Sequence, residues 1–479
     1  MKIKTGKKYF KRVFSVLMSL MLFSAPVFAV PEMNFVIEND KKIKTPLCYK
    51  AVQVISDLVE NGSTFREATD IFIGSDDSIY IADGQKNRII KLNPDGSYNR
   101  DFTNSGGLSG PKSVFVTENG DLFVSDTGNQ QIVHLNKTDE LIESFVKPET
   151  DLLSDMADFS VNRLAVSKQG LIYLIYSQQF MMIDAKNDFK GFVGANKVSF
   201  NLKEFFIRTF GSEIQKKKMK TEQAAAYNAF AIGENDLVYA VANDTKNQIR
   251  ILNVDGKNIF PDGVYGQATE EDKSTNSFGP DFIDIGVDKN GIIYALEKYS
   301  CQVYSFTSKG EMIAVFGGIG SIRGKFTTPV AVDVNSKGEV FVLDSSNGTL
   351  HRFSPTDYIE SIHSAYILFE NGKYEASMEK WNRVLDVNVN CSLANSAMGN
   401  ISMKQENYKA AMSYFKNSDD KAGYSKAFSE YRHEIFRQYF GWIVLAAAVL
   451  GVLIYFLIRL LFFKGRKAID TYYYGGGGK

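Results

Sequence analysis

The chain has 479 residues, 55 Lys and Arg against 55 Asp and Glu, 44% hydrophobic and 13% aromatic composition, and 3 cysteines. That length suits about two to four domains, and the composition is globular rather than disordered. Zero net charge argues against a nucleic-acid binder, the odd set Cys48, Cys301 and Cys391 forms neither a disulfide framework nor a CxxC pair, and 4 scattered histidines leave little for a histidine metal site.

The charge is not evenly placed. Lys2, Lys4, Lys7, Lys8, Lys11 and Arg12 crowd the start, and residues 1–29 hold no acid. The apolar run Val13–Phe28 follows, ending in Val27-Phe28-Ala29 with small residues at the −3 and −1 positions, which predicts a secretory signal peptide over 1–29. Its removal leaves a mildly acidic exported chain. Residues 30–64 form an N-terminal arm, in which Cys48–Ser56 (CYKAVQVIS) alternates apolar and polar and reads as a strand.

Over residues 65–358 one pattern recurs: an apolar strand, a Gly or Asp turn, a second strand of type [IL]-[YF]-[VA], a polar turn with Asp and Asn, and a third strand. Tyr80, Phe123, Tyr173, Tyr239, Tyr294 and Phe341 align as the second-strand aromatics of six copies. Six all-β units read as a six-bladed β-propeller, whose radial closure protects strand edges. The last unit lacks a fourth strand, and Cys48–Ser56 is the natural donor. The turns IADGQKNRI and VSDTGNQQI resemble the NHL repeat family. The match is good in blades one, two and six and weaker where Tyr176, Ala242 and Glu297 replace the turn Asp. For Asp83, Asp126 and Asp344 the expected role is to accept backbone hydrogen bonds in the turn.

The starts of the innermost strands face the central channel of such a fold. These positions give Asp70, Arg163 and Asp284, and their neighbours one residue earlier give Lys112, Asn162 and Asn228, as candidate ligand-binding residues at the channel mouth. Six-bladed relatives include metal-dependent lactonases, and Asp70, Asp284 and Asn228 offer oxygens suited to Ca²⁺. Arg163 and Lys112 in the same ring oppose a cation, and no carboxylate is left over as a general base. A polar ligand such as a glycan fits this mixed-charge mouth better, and ion pairs closing the channel fit it equally well. The chain has no GxSxG, P-loop or HExxH motif, so a non-enzyme without cofactor or metal is expected. The lactonase-like hydrolase stands as an alternative.

An insertion over 191–226 interrupts the propeller. Phe205, Phe206, Ile207, Phe210 and Ile214 share a broad helical face, and Lys216, Lys217, Lys218 and Lys220 form a basic cluster behind it. With Asn196 and Lys197 they are candidate partner-binding residues, against the plainer reading that the apolar face packs on the propeller and the lysines are solvated.

After Pro355 the period becomes helical. Tyr374 and Tyr408, Met378 and Met412, Trp381 and Phe415, and Ala365 and Gly399 are each 34 apart, so residues 359–438 resemble tetratricopeptide repeats. Such a pair serves as a groove for a partner or as a spacer, with a helix from Lys421 capping it. Phe440–Ile458 is uncharged, and residues 439–463 are predicted to span a membrane, with Tyr439 and Trp442 at the interface. Lys464, Arg466 and Lys467 then mark a cytoplasmic tail, 464–479, too short to fold, with everything from Val30 to about Tyr439 extracytoplasmic.

The whole order resembles a family of Gram-positive single-pass membrane proteins. They carry a signal peptide, an NHL propeller with an FxGANKV stretch (Phe192, Gly194, Ala195, Asn196, Lys197, Val198), tetratricopeptide-like helices, a YFGW helix end (Tyr439, Phe440, Gly441, Trp442) and one span. Members are commonly encoded beside carbohydrate ABC-transporter components. The resemblance implies a scaffold or accessory subunit at the cell membrane with a membrane-protein partner. The alternative is a cell-wall or polysaccharide-binding module acting alone.

Overall fold

The computed structural model describes residues 34–38, 41–56, 65, 67–153, 158–194, 226–244, 246–266 and 280–474. The signal peptide and the candidate partner residues Asn196, Lys197, Phe205, Phe206, Phe210, Lys216, Lys217, Lys218 and Lys220 lie outside them. The chain forms two units, 1–360 and 361–479.

The first unit is mainly β. Two strands, β1 (Asn34–Glu38) and β2 (Lys41–Thr45), form a hairpin, and β3 (Tyr49–Ile55) follows. Blade one is β4 (Asp70–Ile73), β5 (Ile79–Asp83), β6 (Arg88–Leu92) and β7 (Tyr98–Phe102). Blade two is β8 (Pro111–Val116), β9 (Leu122–Asp126), β10 (Gln131–Leu135) and β11 (Leu141–Phe145). Blade three is β12 (Val161–Val166), β13 (Ile172–Tyr176), β14 (Gln179–Ile183) and β15 (Phe189–Phe192). Among the described residues blade four has three strands, β16 (Ala226–Ile232), β17 (Val238–Asn243) and β18 (Ile249–Leu252). Blade five is β19 (Phe282–Val287), β20 (Ile293–Glu297), β21 (Gln302–Phe306) and β22 (Met312–Gly317). Blade six is β23 (Pro329–Val334), β24 (Val340–Asp344) and β25 (Thr349–Pro355). Each blade is an antiparallel meander, and the innermost strands β4, β8, β12, β16, β19 and β23 contact one another in a closed ring. The fold is a six-bladed β-propeller.

The reason these short strands form blades is burial on both faces. Strands β5, β9, β13, β20 and β24 are buried at every residue, because each sheet packs against a neighbour on either side. The core is therefore a series of apolar layers between blades. Ile81, Ile90, Phe341 and Leu343 join blades six and one, and Tyr239, Ile251, Ile285 and Phe306 join blades four and five.

Two features of the N-terminal segment bear on ring closure. β3 is the fourth strand of blade six, pairing with β25 from Leu350↔Ile55 to Pro355↔Tyr49. The hairpin β1–β2 adds to the outer edge of blade five through Phe35↔Val315, a pairing the sequence pattern did not reveal. Asn34 ties the two together, its Oδ1 accepting from the backbone N–H groups of Cys48 and Tyr49 at 2.5 and 3.4 Å.

The insertion starts later than its predicted boundary at residue 191. Gly191 and Phe192 belong to β15, because Phe192 pairs with Met181 and its ring packs 5.1 Å from that of Phe189.

The second unit is helical, beginning within α1 (Asp357–Glu370) and continuing through α2 (Tyr374–Val387), α3 (Ser392–Lys404), α4 (Tyr408–Asn417) and α5 (Lys421–Tyr474). Trp381 and Phe415, 34 residues apart, are both buried. At their partner positions the chain carries small residues. Ser377 Oγ donates to the Ala365 carbonyl at 2.8 Å, and Gly399 lies so near Phe415 that an added Cβ would sit 2.6 Å from its ring. Helix α5 is 54 residues long and runs on through residues 464–474, so the expectation of an unfolded tail from 464 is wrong for that stretch. Nothing breaks it, since Gly441 and Gly451 are tolerated inside an apolar helix and no proline follows. Among the described residues α5 is the one helix long and apolar enough to cross a membrane.

Candidate functional site

The channel through the propeller is the natural place for a site, and its lining is built from the inward positions of the six innermost strands. Arg163, at the start of β12, reaches across the ring. Its guanidinium pairs with Asp70 Oδ1 of blade one, with Asp284 Oδ1 of blade five at 3.2 Å, and with the Val330 carbonyl of blade six at 3.3 Å. The three side chains are 11%, 8% and 7% exposed, so the ion triad is a buried closure of the channel.

The remaining carboxylate oxygens latch one blade to the next. Asp70 Oδ2 accepts from Val114 N–H of blade two at 3.1 Å, and Asp284 Oδ2 accepts from Val332 N–H of blade six at 2.7 Å. Asp333 Oδ2 accepts from Ile73 N–H of blade one at 2.7 Å, and Ser113 Oγ accepts from Leu164 N–H of blade three at 3.3 Å. Between blades four and five the donor is a side chain, Asn228 Nδ2, to the Phe282 carbonyl at 2.7 Å and to Asp281 at 3.2 Å. Hydrogen bonds to an ionised carboxylate contribute roughly 1.5–3 kcal/mol each and neutral ones such as those of Ser113 and of Asn228 to the Phe282 carbonyl roughly 0.5–1.5, so this belt is a substantial part of what holds the ring.

The six residues nominated from sequence are thus divided by the triad. Asp70, Arg163 and Asp284 line a cavity of about 830 Å³, whereas Lys112, Asn162 and Asn228 are not part of its wall. Lys112 Nζ instead donates to Asn162 Oδ1 at 3.2 Å and to Ser160 Oγ at 3.4 Å. The cavity lies along the inner strands from the triad to the turns that follow them, lined there by Asp77, Glu118, Asp121, Asp236 and Asp288.

Asp333 is one of several lining carboxylates, with Asp77, Glu118, Asp121, Asp236 and Asp288, that sequence reasoning missed. The candidate positions belong to the first inward layer, and Asp333 stands one layer deeper, opposite Phe341. Burial pushes its carboxyl up to about 7, reinforced by the nearby Asp284 and opposed by Arg163 and the N–H groups of Ile73 and Val334. Burial also raises Asp284 against the pull of Arg163, and raises Asp288, whose carboxylate accepts from Ile292 and Asn290 N–H. Among the described residues no group of three His, Cys, Asp or Glu side chains is placed to hold a metal ion.

Two of the three turn acids act further from home than expected, while Asp83 pairs with the Arg88 guanidinium at 3.0 Å. Asp126 accepts from Ser109 N–H at 2.7 Å, and Asp344 from Thr327 and Thr328 N–H at 2.8 and 3.0 Å, so each pins the loop that leads into its blade's innermost strand. Glu297 performs the same task in blade five, accepting from Asp281 N–H at 3.2 Å. No disulfide joins Cys48, Cys301 and Cys391.

Comparison of the sequence with protein-family models and with curated proteins finds no match. Among solved structures the chain is similar to a streptogramin B lyase, at 14% identity over 69% of this chain and 96% of that one, TM-score 0.40. It is similar also to a catalytically inactive virginiamycin B lyase from Staphylococcus aureus with quinupristin, at 12% identity over 68% and 88%, TM-score 0.39. A third is the WD40 β-propeller domain of Doa1, at 13% identity over 64% and 97%, TM-score 0.40. Likenesses at this level carry no argument about activity, and the propeller assignment rests on the six sheets themselves.

Proposed function

We propose that this chain is a non-enzymatic scaffold or accessory subunit, anchored by one helix, that engages a membrane-protein partner outside the cytoplasm. The observation that supports it best is α5, which leaves the packed helical hairpins at Ala427 and Phe415 and continues unbroken into a segment able to cross a bilayer. A chain so built holds its hairpins beside the membrane, where a polytopic partner is within reach. The channel closure offers no free acid or base for catalysis, since Asp70, Arg163 and Asp284 spend their hydrogen-bonding capacity on one another and on the backbone of adjacent blades. The resemblance to the Gram-positive propeller family favours a carbohydrate ABC-transporter assembly as the partner. Lys464, Arg466 and Lys467 favour a cytoplasmic C-terminus. The insertion arm, with Asn196, Lys197, Phe205, Phe206, Phe210 and Lys216–Lys220, is the proposed contact. Lys112 and Asn162 remain the proposed polar contacts for a glycan, whereas Asn228 is committed to the Phe282 carbonyl and Asp281.

Cross-linking mass spectrometry on native membranes tests this reading. Cross-links from Lys197 and Lys216–Lys220 to transporter subunits are expected. Cross-links confined to the chain itself, together with retention of the protein on purified wall material, would replace the scaffold by the glycan-binding module.

A further inference from the structure

The second inward layer of the channel is unevenly filled. At equivalent register positions blades one and two carry Phe72 and Phe115, blades three and four carry Ala165 and Ala231, blade five carries Gly286, and blade six carries Asp333. The two phenylalanine rings lie 5.0 Å apart, half-buried against the cavity. Gly286 has no room for more, since a Cβ there would come within 3.1 Å of the Asp333 backbone. Ala165 and Ala231, small where blades one and two carry Phe72 and Phe115, line the 830 Å³ cavity on the side of blades three and four. At the floor, the one arginine is neutralised by Asp70 and Asp284. Toward the turns the wall carries Asp77, Glu118, Asp121, Glu234, Asp236 and Asp288 against Lys168 and Lys289. A negative field focused between low-dielectric walls repels anions. The carboxylates are dispersed rather than gathered in a metal-ligand set.

We propose that this cavity binds a small organic cation, an ammonium group on an apolar stem, with the stem against Phe72 and Phe115 and the charge toward Asp333 and the acidic wall. The carboxylates attract such a head group, while the Phe72 and Phe115 rings and the aliphatic strand residues Val166, Ile232 and Val287 accommodate the stem. The inference is independent of which membrane protein the chain engages.

Asp333 provides a signature. Its carboxyl titrates at about 7 among Asp284 and Arg163 from the floor, with Asp288 of blade five and Asp77 of blade one also on the cavity wall. A cation favours the ionised form, so affinity rises as pH passes upward through that value.

The test is calorimetric titration of the full chain in zwitterionic nanodiscs with hexamethylenediamine, phenethylammonium and, as a neutral control, hexanediol. Saturable binding of the amines alone is expected, with affinity rising roughly tenfold from about pH 6 to about pH 8. Asp333→Asn should flatten that rise, and Phe115→Ala and the rim pair Glu118→Gln with Asp121→Asn should each weaken binding severalfold. If Asp333→Asn does not fold, the latter two variants decide the matter. Absence of amine binding, equal binding of hexanediol, or affinity unchanged in both of those variants overturns the proposal. Binding of Nα-acetyl-lysine amide where both free amines fail overturns it in favour of a partner's lysine.

Discussion

Arg163 and its two aspartates illustrate how a residue nominated for ligand binding is instead bound by its own fold. The sequence placed all three in one ring but left open whether their charges faced a ligand or each other, because strand register alone does not say how far an arginine reaches. Replacing Arg163 by Met strands two buried carboxylates, and a loss of about 3–5 kcal/mol is expected in denaturant unfolding at neutral pH. Adding Asp70→Asn and Asp284→Asn should restore much of it, since the cost lies in the unpaired charges. Asp344 acts by a different route. Its carboxylate accepts from two loop N–H groups and from Asn347 Nδ2 at 2.8 Å, and Asp344→Ala should cost about 2–4 kcal/mol by the same measurement. The turn motif that announced Asp344 was legible because it recurs in the sequence, whereas Asp333 occurs once and sits in a layer otherwise apolar or small.

Among the elements, the blades were legible through their repeated aromatic and the closing strand through its alternation. The hairpin β1–β2 was not, because Asn34–Glu38 and Lys41–Thr45 lack the Asn-Gly or Asp-Gly turn that marks a two-residue hairpin. The helical hairpins were visible in the 34-residue spacing, and the packing shows why Gly399 must be small. Alanine is a better helix former than glycine by about 1 kcal/mol, yet at Gly399 its methyl collides with the Phe415 ring. Gly399→Ala is expected to destabilise α3 and α4 by a net of about 1–3 kcal/mol. Hydrogen exchange of those two helices in the intact protein checks this, and unchanged or slower exchange would contradict it.

For the molecule as a whole, the buried carboxyls of the channel make stability depend on pH. Asp333 is held at about 7, above the ordinary carboxylate value, so between that ordinary value and about 7 the folded propeller binds more protons than the unfolded chain. Stability therefore falls as pH rises through this window, and Asp284 and Asp288, both raised, act in the same direction. Thermal melting at constant ionic strength should show a lower midpoint at about pH 8 than at about pH 5, and Asp333→Asn should reduce the difference. The pairing of β3 with β25 sets a timetable as well. Ile55 meets Leu350 only after some 295 further residues have been added, which at ordinary rates of translation is on the order of 15–60 s. Throughout that interval β3 is a strand without a partner, and the first blade has no sixth blade to cover its apolar flank. A chaperone that shields this waiting segment would govern how much of the protein is recovered, without altering how stable the closed ring is once formed.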